Sequence, residues 1–167
     1  MKAVEILSEE HRKIEIELQK LGKIVAVFEI KKEKQAMEAL SLLDFFKNFA
    51  DGVHHHKEEE LLFPLLEQRG MSIDQGPTAV MRHEHQLGRS LIASMRKSLE
   101  ADCQGDVHAY GDFVVAANGY LKLLREHIHK EDHCLFPMAE QALNEQDQKN
   151  LLESFLKSDQ TSLAVQT

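Results

Sequence analysis

Apolar residues recur along this chain at the three- and four-residue spacing of helices, and a histidine sits within each stripe. From Lys2 to about Glu29 the stripe is Val4, Leu7, Ile14, Leu18, Leu21 and Val25, with His11 on the same face between Leu7 and Ile14. After the polar stretch Lys31-Lys32-Glu33-Lys34, a second stripe runs through Ala39, Leu42, Leu43, Phe46, Ala50, Val53, Leu61 and Leu65 and carries His54 and Glu58. Gly52 is a weak point inside it. Pro64 removes a backbone donor, so the spacing predicts a bend there and an end at Arg69-Gly70. A third helix starts at Pro77, with Met81, His85, Ile92 and Met95 inward and Gly88 allowing close packing. Past a loop near Asp102 to Asp106, a fourth stripe takes in Val107, Phe113, Val114, Ala117, Tyr120, Leu121, Leu124, Ile128, Leu135 and Met138, with His127 and Glu131 among them. Asn144, with Asp147 three residues later, reads as the cap of a short fifth helix from Glu145 to about Lys157.

No segment alternates with period two between turn signals, so no strand is expected and the fold class is all-α. Four long helices with short connections pack best as an up-down-up-down bundle, here with a short C-terminal fifth helix. The expected organisation is one domain over residues 1–157 and a flexible tail over residues 158–167.

Composition narrows the function classes. With 167 residues, 43% of them hydrophobic, the chain is long enough to bury a core of its own. Acidic residues exceed basic ones by 28 − 20 = 8, which argues against a sequence-independent grip on nucleic acid. No apolar run is long enough to span a membrane and no secretory signal opens the chain, so a cytoplasmic protein without a membrane partner is expected. Cys103 and Cys134 form no C-x-x-C pair and are expected to be free thiols. Ten histidines beside no tryptophan ask for a site.

That site is legible as a repeat. His54 to Pro64 reads His-His-His-Lys-Glu-Glu-Glu-Leu-Leu-Phe-Pro, and His127 to Pro137 reads His-Ile-His-Lys-Glu-Asp-His-Cys-Leu-Phe-Pro, at an offset of 127 − 54 = 73. Glu10-His11 likewise returns as Glu84-His85, at 85 − 11 = 74. The chain is therefore two pseudo-repeated helical hairpins, each giving one His from its first helix and a His-x-x-x-Glu from its second. Residues four apart lie on one helix face, so each His and Glu point the same way. The candidate metal ligands are His11, His54, Glu58, His85, His127 and Glu131. Four imidazoles and two carboxylates suit two metals, each with two His, sharing two bridging Glu. Iron leads, and manganese, cobalt or zinc would be accepted by the same set.

These residues resemble the hemerythrin-like, or HHE cation-binding, family. The resemblance covers about residues 3 to 140 and is carried by Glu10-His11, His54-x-x-x-Glu58 before Leu62-Phe63-Pro64, Glu84-His85, and His127-x-x-x-Glu131 before Leu135-Phe136-Pro137. It implies a left-turning four-helix bundle around a non-haem centre of two iron ions, bridged by oxo or hydroxo, with a small diatomic ligand (dioxygen or nitric oxide) or peroxide as partner. Hemerythrin itself has a five-His arrangement with two histidines four apart on the third helix, whereas here Met81 and Arg89 stand four before and four after His85. Some members use the residue directly after the second-helix His, which is His55 here.

Iron storage or donation, or repair of iron-sulfur clusters, is the alternative that the resemblance implies. The repair proteins carry a cysteine-bearing segment before the bundle, for which Met1 to Glu9 leaves no room. A di-iron oxygenase would use an inward Glu-x-x-His, and none is found. A binding or sensing protein is expected ahead of an enzyme, with weak peroxide decomposition as the activity an open iron position would allow. His56, His83, His108, His129 and His133 are expected mostly at the surface, Cys134 on the inner face, and Pro64 and Pro137 as helix terminators.

Overall fold

The computed structural model describes residues 2–27, 32–103, 106 and 108–165, so Lys31 and the expected core residue Val107 lie outside the described residues, as does the Cys103 side chain. Seven α-helical stretches follow in order: α1 (Ala3–Val27), α2 (Lys32–Phe45), α3 (Phe63–Gln68), α4 (Pro77–Cys103), α5 (Ala109–Lys130), α6 (Phe136–Ala142) and α7 (Glu145–Val165). Two π-helical segments, Phe46–His55 and Glu58–Leu62, carry α2 into α3, and a third, Glu131–Leu135, carries α5 into α6. The seven stretches therefore make five rods, and among the described residues there is no strand. The α1 rod touches the α2 and α5 rods, and α4 touches the same two, which is the neighbour pattern of an up-down-up-down four-helix bundle. No helix among the described residues is long and apolar enough to cross a membrane.

Two apolar cores fill the bundle. One is built from Ile14, Leu18, Leu21, Leu43, Phe46, Met95, Phe113, Ala117, Tyr120 and Leu124. The other contains Leu7, Leu62, Phe63, Leu66, Met81, Leu135, Phe136, Leu151 and Phe155. His11 follows Leu7 of one core and precedes Ile14 of the other, and His127 lies between Leu124 and Leu135 in the same way. A polar layer is thus sealed between two hydrophobic ones, where water cannot satisfy it.

Four expectations change. Pro64 and Pro137 do not end their helices; each sits in the first turn of a new α-helical stretch, α3 and α6, where its missing N–H is not needed. The π-helical segment before each shifts the bonding by one residue, so Phe63 N–H donates to the Glu58 carbonyl and Phe136 N–H to the Glu131 carbonyl. That register shift also turns Cys134 outward to an exposed position, as a free thiol, and leaves Met138 exposed. The rod ends at Arg69-Gly70, as the spacing predicts, where the Gly70 φ of +101° allows Met71 N–H to reach the Leu66 carbonyl and Gly70 N–H the Glu67 carbonyl. Finally, the fifth helix is not short. Asn144 and Asp147 cap it reciprocally, and it continues past Lys157 to Val165 because Phe155 is buried and Asp159 is held by Lys57.

Candidate metal centre

The π-helical geometry shapes the centre. In an α-helix adjacent side chains diverge by about 100°, which would aim His54 and His55 at different places. The wider turn of Phe46–His55 narrows that angle, and both side chains are buried, at 1% and 5% exposure. The second repeat has Ile128 at the corresponding place, inside an ordinary α-helix.

Seven polar side chains therefore converge in the buried layer: His11 from α1, His54, His55 and Glu58 from the α2–α3 rod, His85 from α4, and His127 and Glu131 from the α5–α6 rod. They form two groups, His55, Glu58, His85 and His127 in one and His11, His54, Glu58 and Glu131 in the other, and within each the potential ligand atoms lie within 4.8 Å of one another. All six sequence-predicted residues are in the cluster, and His55 adds a fifth imidazole. His56, His83, His108, His129 and His133 are exposed.

Each of the five imidazoles is oriented by a carboxylate on its outer nitrogen. His11 Nδ1–H donates to Asp132 at 2.8 Å, His54 to Glu10 at 3.0 Å, His55 to Asp51 at 3.3 Å, His85 to Glu59 at 2.6 Å and His127 to Glu84 at 3.0 Å. A carboxylate only accepts, so Nδ1 carries a proton on each ring and Nε2 is the lone-pair nitrogen wherever the ring is neutral. His11 Nε2 also faces a carboxylate, Glu131 at 3.1 Å, and donates to it when the ring is protonated. Outer carboxylates of this kind fix the tautomer of metal-binding histidines and raise their basicity. The five were missed as functional residues, although the repeat contains the signal: Glu10 matches Glu84, and Glu59 matches Asp132. Each crosses to the other element, Glu10 to His54 and Glu84 to His127 within a hairpin, Glu59 to His85 and Asp132 to His11 between hairpins.

The inner atoms face one another without enough protons to satisfy them. His85 Nε2 lies 3.1 Å from His127 Nε2. Glu131 Oε2 lies 3.1 Å from His11 Nε2 and 3.2 Å from His127 Nε2, so this carboxylate spans the two groups. Glu58 spans them too, with His54 Nε2 and His85 Nε2 each 3.4 Å from one of its oxygens. His54 Nε2, His55 Nε2, both Glu58 oxygens and Glu131 Oε1 are buried with no hydrogen-bond partner. Orphaned acceptors of this kind are costly, and a cation in each group would satisfy them. Imidazole nitrogen with carboxylate oxygen suits a first-row transition metal, whereas calcium and magnesium call for oxygen alone.

Without a cation, protons take its place. Burial raises Glu58 well above the usual carboxylate range, and the nearby Glu131 and Glu10 charges push the same way. Burial would raise Glu131 as well, but His127 and His11 outweigh it and hold that carboxyl low. Burial lowers His11, yet its hydrogen bonds to Asp132 and Glu131 carry it up to about 9. His54 and His85 are pushed down by burial and then by neighbouring imidazoles, and His55 by burial. The cation-free centre therefore favours a proton on Glu58 and one on His11, and a metal competes with both.

The model of the Hemerythrin HHE cation binding domain family matches residues 2–139. An uncharacterized protein of Mycobacterium tuberculosis is 28% identical over 109 residues, which are 65% of this chain and 42% of that protein. The iron-sulfur cluster repair protein YtfE of Yersinia pestis is 36% identical over 89 residues, which are 52% of this chain and 40% of YtfE. The aligned stretches thus cover about two fifths of these relatives. No solved structure is significantly similar to the chain.

Proposed function

The chain belongs to the hemerythrin HHE cation-binding domain family, and on that footing we propose that it holds two iron ions and binds, senses or reacts with dioxygen, nitric oxide or peroxide. The observation that carries this reading is the pair of carboxylates Glu58 and Glu131, each reaching one histidine of either group, around orphaned acceptors that no proton network satisfies. In it, His55, His85 and His127 would hold one iron and His11 and His54 the other, with Glu58 and Glu131 shared between the two groups. Bound iron supplies an open coordination position and the electrons with which a small oxidant reacts.

The protein's own residues prepare that position. One group offers three imidazoles and the other only His11 and His54, so a small ligand would have its place beside those two. Phe136 lies parallel to the His11 ring at a centroid distance of 5.4 Å and Phe63 parallel to His85 at 6.0 Å, which keeps water from the metals on that side. Asp132 fixes the direction of His11, and Glu10 that of His54.

Anaerobic loading with Fe(II), followed by the absorption spectrum and iron count before and after admitting air, tests the reading. Two irons per chain and new charge-transfer bands are expected; fewer than one iron with no spectral change would overturn it. Reversal under vacuum separates a carrier from a sensor or enzyme. A second reading, iron donation or iron-sulfur cluster repair, is favoured by the likeness to YtfE. Transfer of iron from the loaded protein to an apo-ferredoxin would support it.

A further inference from the structure

The centre is symmetric in its inner residues and asymmetric in what lies behind them. Lys57 and Lys130 hold equivalent places in the repeat, and each salt-bridges an outer carboxylate: Lys57 to Glu10, behind His54, and Lys130 to Glu84, behind His127. Their surroundings differ. The Lys130 side chain is 38% exposed, whereas that of Lys57 is wholly buried. What buries Lys57 is α7: its Nζ lies 2.5 Å from Asp159 Oδ1 and 5.8 Å from the centre of the buried Phe155 ring. The family match stops at residue 139, before α7 begins at Glu145.

We propose that α7 is coupled to the metal centre through the chain Asp159, Lys57, Glu10 and His54, so that it docks more firmly on the metal-loaded protein than on the metal-free one. This rests on the metal reading given above. A buried ammonium needs both of its carboxylate partners, so Lys57 ties α7 to Glu10. A cation on His54 Nε2 draws electron density from the ring and makes Nδ1–H a stronger donor to Glu10 at 3.0 Å. Its positive charge also favours the acidic pair, Glu10 and Asp159, that flanks Lys57 at 2.5 Å on either side. Docking and metal binding therefore support each other, and by reciprocity the same factor appears in both. Among the described residues the equivalent chain through Lys130 ends at Glu84 and His127, so the signal leaves the centre on the two-imidazole side. In a protein whose centre responds to a small oxidant, α7 is the element that reports its state.

Hydrogen exchange of the full chain, metal-free and loaded with Co(II) under argon, tests this, with cobalt counted in the same samples. Amides of α7 near residues 150–160 are expected to exchange at least about fivefold more slowly in the loaded protein, the low end of two-site coupling. Asp159→Asn, at a partly exposed position, should abolish that difference, leave α4 exchange unchanged and lower cobalt affinity by up to the same factor. Lys57→Met should remove the difference from the other end of the link. Equal α7 exchange in loaded and metal-free wild type, or a difference that survives in Asp159→Asn, would overturn the coupling. The cobalt count judges the other reading separately: one ion with a protected α7 overturns the dinuclear centre and keeps the coupling, two with an unprotected α7 does the reverse, and none overturns both.

Discussion

His55 lies face to face with His85, ring centroids 3.7 Å apart and planes inclined by only 13°. Two imidazoles from different rods are held this close because their outer partners are held together. Asp51 behind His55 and Glu59 behind His85 both accept hydrogen bonds from Arg89, at 2.7 and 3.0 Å. His55→Ala removes one of three imidazoles from its group and leaves the other group intact. Binding of one metal should weaken by more than the roughly 10- to 100-fold typical of an outer partner, while the second remains, as read by cobalt titration. Unchanged affinity for both would remove His55 from the ligand set.

Arg89 gives the milder version of the same test. It touches none of the converging Nε2 atoms, so Arg89→Met should leave two metals binding but loosen the three-imidazole group. An affinity loss of roughly 10- to 100-fold is expected for that group alone, with helix content unchanged by circular dichroism. Equal weakening of both groups would mean that Arg89 acts on the bundle as a whole.

The same region marks how far the sequence could be read. The bundle and six of the converging residues follow from a 3.6-residue period and a repeat, since both depend on spacing alone. Three π-helical segments do not, because each shifts register by an amount that periodicity cannot announce. Hence His55 turned in where α-helical geometry puts it about 100° from His54, and Cys134 turned out where it should have faced the core. The proline after each Leu-Phe pair was the available signal: Pro64 and Pro137 sit two residues past a π-helical segment and start a new stretch. The length of α7 depends on the tertiary contact of Asp159 with Lys57, which a local pattern does not contain.

The base of α7 predicts a pH dependence. Asp147 is held below the usual carboxylate range by the fork from Arg69 and the Asn144 N–H, with burial opposing. A depressed carboxyl contributes stability that is present above its unfolded value, near 3.9, and is lost as pH falls through the folded value. The metal-free wild type should therefore exceed Asp147→Asn in urea midpoint at pH 5, and the gap should close as pH is lowered through and below 4. A gap that stays constant would assign the contribution to packing.

Glu58 separates the metal-free protein from the loaded one most sharply. In the metal-free state it is driven toward the protonated form, so Glu58→Gln exchanges one neutral group for another of nearly the same shape. Both Glu58 oxygens are already without hydrogen-bond partners, so the amide forfeits no bond, and stability should change by no more than about 1 kcal/mol. The loaded state depends on the charge. A ligand at 100 times its dissociation constant stabilises the fold by about 2.7 kcal/mol, and an amide in place of a bridging carboxylate should remove most of that gain. Thermal unfolding with and without Co(II) reads both at once. The expected outcome is a variant with a near-wild-type metal-free transition that no longer rises with cobalt. A large fall in the metal-free transition would instead mean that Glu58 carries its charge there, balanced by the proton on His11, and that the centre is an ion-pair network before any metal arrives.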